Sequence, residues 1–203
     1  MTETQTTICN KALNLIGEEG INSINDNSLQ ANACKNYYDL ALNLLLEDGA
    51  WSHTVVEQPL VKVSTDEYAE DQKYVYVIPS NCVLIKDVYQ KHERKQGYKS
   101  TDWDIRYFPA ENKNYIICDC DEDMYIKYVY NNSNTNTYSA KFIQALVSGL
   151  AFQICMYITK DLEKTNAMLA LYNATKADAL RTNYNEVGEE KLDWVSPITA
   201  SRG

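Results

Sequence analysis

Apolar and polar positions change period twice along this chain, from helical to strand-like and back. Near the start, Ile8, Cys9, Ala12, Leu13, Leu15 and Ile16 recur at spacings of three and four, which predicts a short helix with one broad apolar face. Gly17 is placed to stop that helix in a left-handed conformation. Asp26, Asn27 and Ser28 are all good N-cap types, and behind them Leu29, Ala33, Tyr37, Leu40, Ala41, Leu44 and Leu45 resume the helical period. Gly49 closes the second helix and Trp51 follows it.

Between residues 52 and 130 the texture changes to short runs of β-branched and aromatic residues. "HTVVEQPLVKVS" alternates around Pro59, which marks an edge or a bend because proline cannot donate to a ladder. "QKYVYVIP" and "CVLIKDVYQK" follow, separated by a turn at Pro79-Ser80-Asn81. "DWDIRYF", "NYIICD" and "DMYIKYVY" complete a set of strand candidates that predicts an antiparallel sheet or a small sandwich. The acidic stretch Asp119 to Asp123 reads as a hairpin turn between the last two.

From Tyr138 the helical period returns. Ala140 to Ile158 is apolar on nearly every face, after a cap at Tyr138-Ser139. A break at Thr159-Lys160-Asp161 leads into a helix reaching Tyr184, with an apolar stripe of Leu162, Met168, Leu169, Tyr172 and Leu180. The predicted class is α+β: residues 1–50 and 138–187 form a helical bundle, 51–137 an inserted antiparallel β region, and 188–203 an extended tail. Leu192, Trp194, Val195 and Ile198 in that tail are apolar residues on a segment too short to bury them itself. They are a candidate interface toward another chain.

The formal net charge of −9 argues against a surface built to grip nucleic acid, which takes Lys and Arg. It is compatible with a wall past which DNA slides, because an acidic surface repels phosphate. The Ala140–Thr159 segment approaches the ~20 residues that cross a bilayer. Gln144, Ser148, Gly149 and Gln153 interrupt it, and it lacks a basic flank or aromatic belt, so a buried central helix is expected and no membrane. The polar opening "MTETQTT" lacks a signal-peptide pattern, which together with cysteines set inside apolar patterns predicts a reduced cytoplasmic origin.

Catalytic chemistry has little to stand on. His53 and His92 lie in separate contexts, without a nucleophile elbow or a glycine-rich phosphate loop. Cys118-x-Cys120 is too tightly spaced for a zinc site, and Met124 and Tyr130 occupy the positions where a calcium loop needs Gly and Glu. No catalytic residue, cofactor or metal is expected. Tyr74, Tyr76, Tyr125, Tyr128 and Tyr130 are of a type that can stack on bases, but with four arginines in the chain they read better as sheet faces or subunit contacts. The basic run from Lys91, "KHERKQGYK", reads as a solvated hairpin loop.

The first fifty residues also carry a likeness. "ICNKALNLIGEEGINSINDNS…ACKNYYDLALNLLLEDGAW" resembles the opening of the tail tubular protein A family, head-to-tail adaptors of tailed bacteriophages. The match runs through Asn10, Ala12, Leu13, Ile16, Gly17, Ile21, Ser23, Asp26 to Ser28, Tyr38, Leu45, Leu46 and Trp51. "YVYVIPSNCVLI", with Pro79 before Asn81-Cys82, and "YSAKFIQALVSGLAFQICMYIT", with Tyr172 and Ala177 beyond it, are similar to later parts of the family. The resemblance implies a structural virion protein, not an enzyme, assembled in the bacterial host cytoplasm and sited at the head-tail junction. It implies a homo-oligomeric ring of about twelve copies, closed by heterologous contacts. Its partners would be the portal protein and a tail tube or nozzle protein, with DNA passing through the channel unread. A nucleic-acid-processing or hydrolytic enzyme with an unfamiliar site, and a peptide-binding module, are the alternatives from other classes.

The cysteine reading has a direct check. Thiol counting on denatured, unreduced protein should find all six cysteines free, and added reductant should leave stability unchanged. Loss of a real bridge would cost about 2–5 kcal/mol, and a mass showing one native disulfide would overturn the redox assignment.

Overall fold

The computed structural model describes residues 3–63, 74–90, 101–120 and 123–187. They form a mixed α+β protein with four α-helices and two antiparallel sheets, the helices lying toward both ends of the chain. Two compact units result: residues 1–53 with 133–203, and residues 54–132.

The helical unit holds α1 (Gln5–Leu15), α2 (Leu29–Glu47), α3 (Ala140–Thr159) and α4 (Leu162–Val187). Each start is capped by a side chain suited to the task. Thr4 and Thr7 bond reciprocally across the first turn of α1, Ser28 Oγ accepts from Ala31 N at 3.1 Å, and Ser139 Oγ from Phe142 N at 3.2 Å. Asp161 receives Lys164 N at 3.0 Å at the head of α4. Gly17 ends α1 at φ +76, where Glu18 N reaches Leu13 O and Gly17 N reaches Asn14 O, closing the last carbonyls of the helix. Between α3 and α4, Lys160 takes the left-handed turn at φ +54.

α3 is the centre of this unit and packs against α1, α2 and α4. Phe142, Ala145, Leu146, Val147, Leu150, Ala151, Ile154 and Cys155 are buried along it. Burial is not all-round, however: Lys141 and Gln144 are exposed, and at the far end Met156 and Tyr157 are 49% and 46% exposed. α3 is the one helix among the described residues long and apolar enough to cross a membrane by length and composition. Its crossing with α4 is close, since a Cβ on Gly149 would sit 3.0 Å from the Tyr172 ring. There Ser148 and Thr175 share a 2.6 Å hydroxyl contact that satisfies both near the core.

The other stripes differ from the sequence reading. On α1, Leu15 faces water. On α2, the buried set is Ala31, Ala33, Cys34, Tyr38, Ala41, Leu42, Leu45 and Leu46, whereas Leu29, Leu40 and Leu44 are exposed. On α4, Leu162 and Leu169 are exposed, and Ala179 is fully buried. Each helix carries apolar residues on more than one flank. Periodicity alone does not say which flank meets α3.

The β unit contains seven strands among the described residues: β1 (Val55–Pro59), β2 (Val61–Lys62), β3 (Tyr74–Val77), β4 (Cys82–Gln90), β5 (Trp103–Phe108), β6 (Lys113–Cys118) and β7 (Met124–Tyr130). One sheet has the order β1-β7-β4 and the other β2-β3-β6-β5. Their shared core is Tyr76, Val88, Ile116, Cys118, Met124, Ile126 and Tyr128. Pro59 ends β1 on the edge of the first sheet. Leu60 N then bonds Met124 O at 2.8 Å, and the chain passes into the second sheet as β2. Pro59 is thus both edge and bend.

One expected pairing is overturned. β6 and β7 do not form a hairpin, because they lie in different sheets: β6 pairs with β3 and β5, and β7 with β1 and β4. The hairpin expected between the two strands is therefore not formed. Alternation in two adjacent strands does not reveal that their partners are elsewhere.

Leu150 is wholly buried at the middle of α3, so Leu150→Ala should lower unfolding stability by about 2–5 kcal/mol in urea melts. Leu150→Asp should abolish soluble protein, since a carboxylate there would be desolvated without a partner. A soluble, normally folded aspartate variant would show that α3 is not the core.

Candidate functional site

The most constructed part of the helical unit is the path from α1 to the chain just past α2. Asn10 on α1 reaches across the connecting loop and holds both backbone groups of Ile21: Asn10 Nδ2 donates to Ile21 O at 2.9 Å, and Ile21 N donates to Asn10 Oδ1 at 2.7 Å. Gly20 leaves room for this, as a Cβ there would lie 3.2 Å from the Asn10 amide. Asp26 Oδ2 then accepts Asn22 N at 2.9 Å and Ser23 N at 3.0 Å, so the loop is closed by side chains before α2 begins.

A second asparagine does the same at the far end. Asn183 on α4, 7% exposed, donates from Nδ2 to Ala50 O at 2.8 Å and accepts Ser52 N on Oδ1 at 2.9 Å. Gly49 lies beside it, where a Cβ would fall 2.6 Å from a terminal methyl of Leu180 and that side chain would have to shift. Asp48 pairs with Lys176 at 2.8 Å and takes a hydrogen bond from Tyr172, whose phenol is pushed up to about 12, first by burial and then by that carboxylate. Between these points Trp51 is buried, its Nε1 donating to Leu45 O at 2.8 Å and its ring meeting Phe142 edge-on at 4.9 Å. His53 packs against Tyr138 at 5.4 Å and Phe142 at 4.7 Å. At the other end of α4, Lys164 Nζ donates to Ile16 O at 3.1 Å, adding a cation at the C-terminus of α1.

This arrangement fixes backbone and carries no reactive group. Burial pushes His53 down to about 4, so it is neutral at physiological pH and part of an aromatic cluster. Cys9 is raised, first by its hydrogen bond with Cys34 and then by burial, the same bond lowers Cys34, and burial raises Cys82 to about 11. All six cysteines are free. Among the described residues no group of three His, Cys, Asp or Glu could hold a metal ion. In the β unit Tyr76 and Tyr128 are buried in the core and donate to Cys120 O and Asn81 Oδ1, each at 3.0 Å. They are therefore not a base-stacking platform.

The candidate interface residues Leu192, Trp194, Val195 and Ile198 lie outside the described residues, as do His92, the whole basic run from Lys91, and two members of the acidic turn, Asp121 and Glu122. The clamp formed by Asn183 was not legible beforehand. Its only sequence signal is an amide inside a helix, and what it grips is more than a hundred residues away. The exposed apolar positions Leu29, Leu40 and Leu44 were legible as apolar but were read as core.

The cluster around His53 generates a pH prediction. The folded pKa near 4 lies below the ordinary 6.5, so between those values the unfolded chain binds the proton more readily. Stability is fully present above pH 6.5 and declines as pH falls toward 4, by up to about 1.4 kcal/mol per pH unit. Urea melts from pH 7 down to 4.5 should show this decline, and His53→Gln should remove the part that belongs to the imidazole. Identical pH dependence in the two proteins would refute the assignment.

No protein-family model matches this chain, and no match was found among curated proteins, so a functional reading rests on its own residues.

Proposed function

We propose that this protein is a structural virion component, a head-to-tail adaptor whose copies close into a ring between a phage portal and the tail and leave a channel through which DNA passes. The observation that carries the reading is where the family-like residues fall. Asn10 and Ile21 are the first clamp, Gly17 is the left-handed stop, and Ser23 and Asp26 close the loop. Ser28 caps α2, and Leu45 and Trp51 form the anchor beyond it. The likeness thus includes residues with a defined structural task beside the buried positions Ala12, Leu13, Ile16, Tyr38 and Leu46.

Two further features support a scaffold over an enzyme. The best-organised polar contacts in the helical unit bind backbone to side chain and leave no nucleophile beside a base. Apolar side chains also remain on the outside of α2, α3 and α4, at Leu40, Leu44, Tyr157 and Leu162, which suits a subunit that meets neighbours. The acidic balance of the chain suits a duct for DNA that must not bind what it passes.

The test is assembly. Purified protein mixed with its portal should sediment as one complex and appear as a ring by negative-stain imaging. It should also be present in purified particles. A chain ending at Val187 should stay folded by circular dichroism but fail to join the portal, because the tail supplies the contact. Normal assembly by that truncation would sink the role given to Leu192, Trp194, Val195 and Ile198. Absence from particles, together with no portal binding by the full chain, would sink the adaptor reading itself.

A further inference from the structure

Within the β unit, β5 is an open edge. It is the last strand in the order β2-β3-β6-β5, bonded to β6 on one side and, among the described residues, to no strand on the other. Such an edge offers a row of backbone donors and acceptors to any strand that fits, and proteins commonly blunt it by keeping it short or placing lysine or proline there. β5 is six residues long, Trp103 to Phe108, without either residue type. Asp104, Ile105, Arg106 and Tyr107 are all exposed. Ile105 N donates to the Asp104 carboxylate at 2.8 Å, a local acceptor standing in for the carbonyl of a next strand.

The two faces of this strand differ. Trp103 pairs with Cys118 and Ile105 with Ile116, both core residues, so Trp103, Ile105 and Tyr107 lie on the core side of the sheet. Trp103 is half-buried against that core, whereas Ile105 and Tyr107 are 45% and 52% exposed. The apolar face therefore runs beyond its cover. Asp104 and Arg106 share the opposite face, and neither has an ion pair among the described residues.

A second copy of β5 supplies what this edge lacks. Two identical strands can meet antiparallel about a two-fold axis, and the residue on the axis decides what lies opposite what. Centred on Asp104, the pairing opposes two carboxylates; centred on Arg106, two guanidiniums. A parallel pairing in register does both, and like charges directly opposite are destabilising. Centred on Ile105, Asp104 meets Arg106 twice, Trp103 meets Tyr107 twice, and Ile105 meets itself. The faces agree as well, with the charges on one side of the extended sheet and the apolar residues on the other.

We propose that β5 pairs with β5 of a second copy of this chain, antiparallel about Ile105, to form a two-fold dimer. Ile105 N leaves Asp104 for Ile105 O of the second copy, and the freed carboxylate turns to Arg106 across the strand pair. A single strand edge is smaller than the ~1,200 Å² at which stable complexes begin, so the dimer forms and dissociates with concentration. While it lasts it closes the edge to stray strands. The contact is isologous, whereas a ring closes through heterologous ones, so it is additional to the adaptor reading and does not rest on it.

Charge exchange tests the register. Sedimentation velocity of the full chain alone should show an average mass that rises with concentration from 23.2 kDa toward twice that value. Asp104→Arg sets arginine against arginine at both contacts, and Arg106→Asp sets carboxylate against carboxylate. Each variant alone should dimerise about tenfold or more weakly than the wild type. Circular dichroism should be unchanged, because both positions are exposed. Mixed in equal amounts, the two variants should dimerise again, since each supplies the charge the other lacks, and the double exchange in one chain should do the same. A wild type that stays monomeric throughout overturns the proposal. So does a mixture that fails to recover, because it excludes this register. Single variants that self-associate as the wild type does place the contact elsewhere and overturn it too. The portal enters none of these measurements, so failure here leaves the adaptor reading to its own test.

Discussion

A twenty-residue helix as apolar as α3 has to be covered, and that requirement arranges the helical unit. Phe142, Leu146, Leu150 and Ile154 each lose essentially all contact with water, at roughly 1.5–3 kcal/mol apiece for large side chains. One neighbouring helix cannot enclose that much surface. α1, α2 and α4 all pack on α3, although α1 and α4 are far apart in sequence and a β unit intervenes between α2 and α3.

Apolar burial does not fix where helices end or how connections run, because it has no direction. Two asparagine side chains provide direction here. Asn10 and Asn183 each present a donor and an acceptor to a stretch of backbone that is outside regular structure and would otherwise lose its partners on burial. Gly20 and Gly49 stand next to them, where a Cβ would press on the Asn10 amide in one case and displace the Leu180 side chain in the other. Gly17 serves differently, supplying positive φ at the end of α1. The pattern is one of dry packing set in register by a few backbone clamps.

That pattern bears on function. Buried, neutral His53 belongs to an aromatic cluster, and the amides of Asn10 and Asn183 serve the backbone. The outward-facing leucines of α2, Leu29, Leu40 and Leu44, have no place in the packing around α3. In the proposed adaptor such a surface would meet neighbouring copies.

The sequence by itself determined the element types and most of their ends. Ser28, Ser139, Gly17 and Pro59 act where their chemistry is local, through caps, a left-handed turn and a missing donor, and local chemistry is readable from neighbours in the chain. The α+β class followed from the switch between periods of 3.6 and 2. The tertiary structure decided what depends on partners distant in sequence. Leu40 and Leu44 are as apolar as Leu45 and Leu46, but only the second pair is buried. β6 and β7 are neighbours in sequence, yet β6 finds its partners in β3 and β5. Asn183 looks like any polar residue on a helix until the chain at Ala50 and Ser52 is brought against it. In each case the choice is made by which surfaces can be buried together at the lowest cost, a property of the whole packed unit and not of a window of residues.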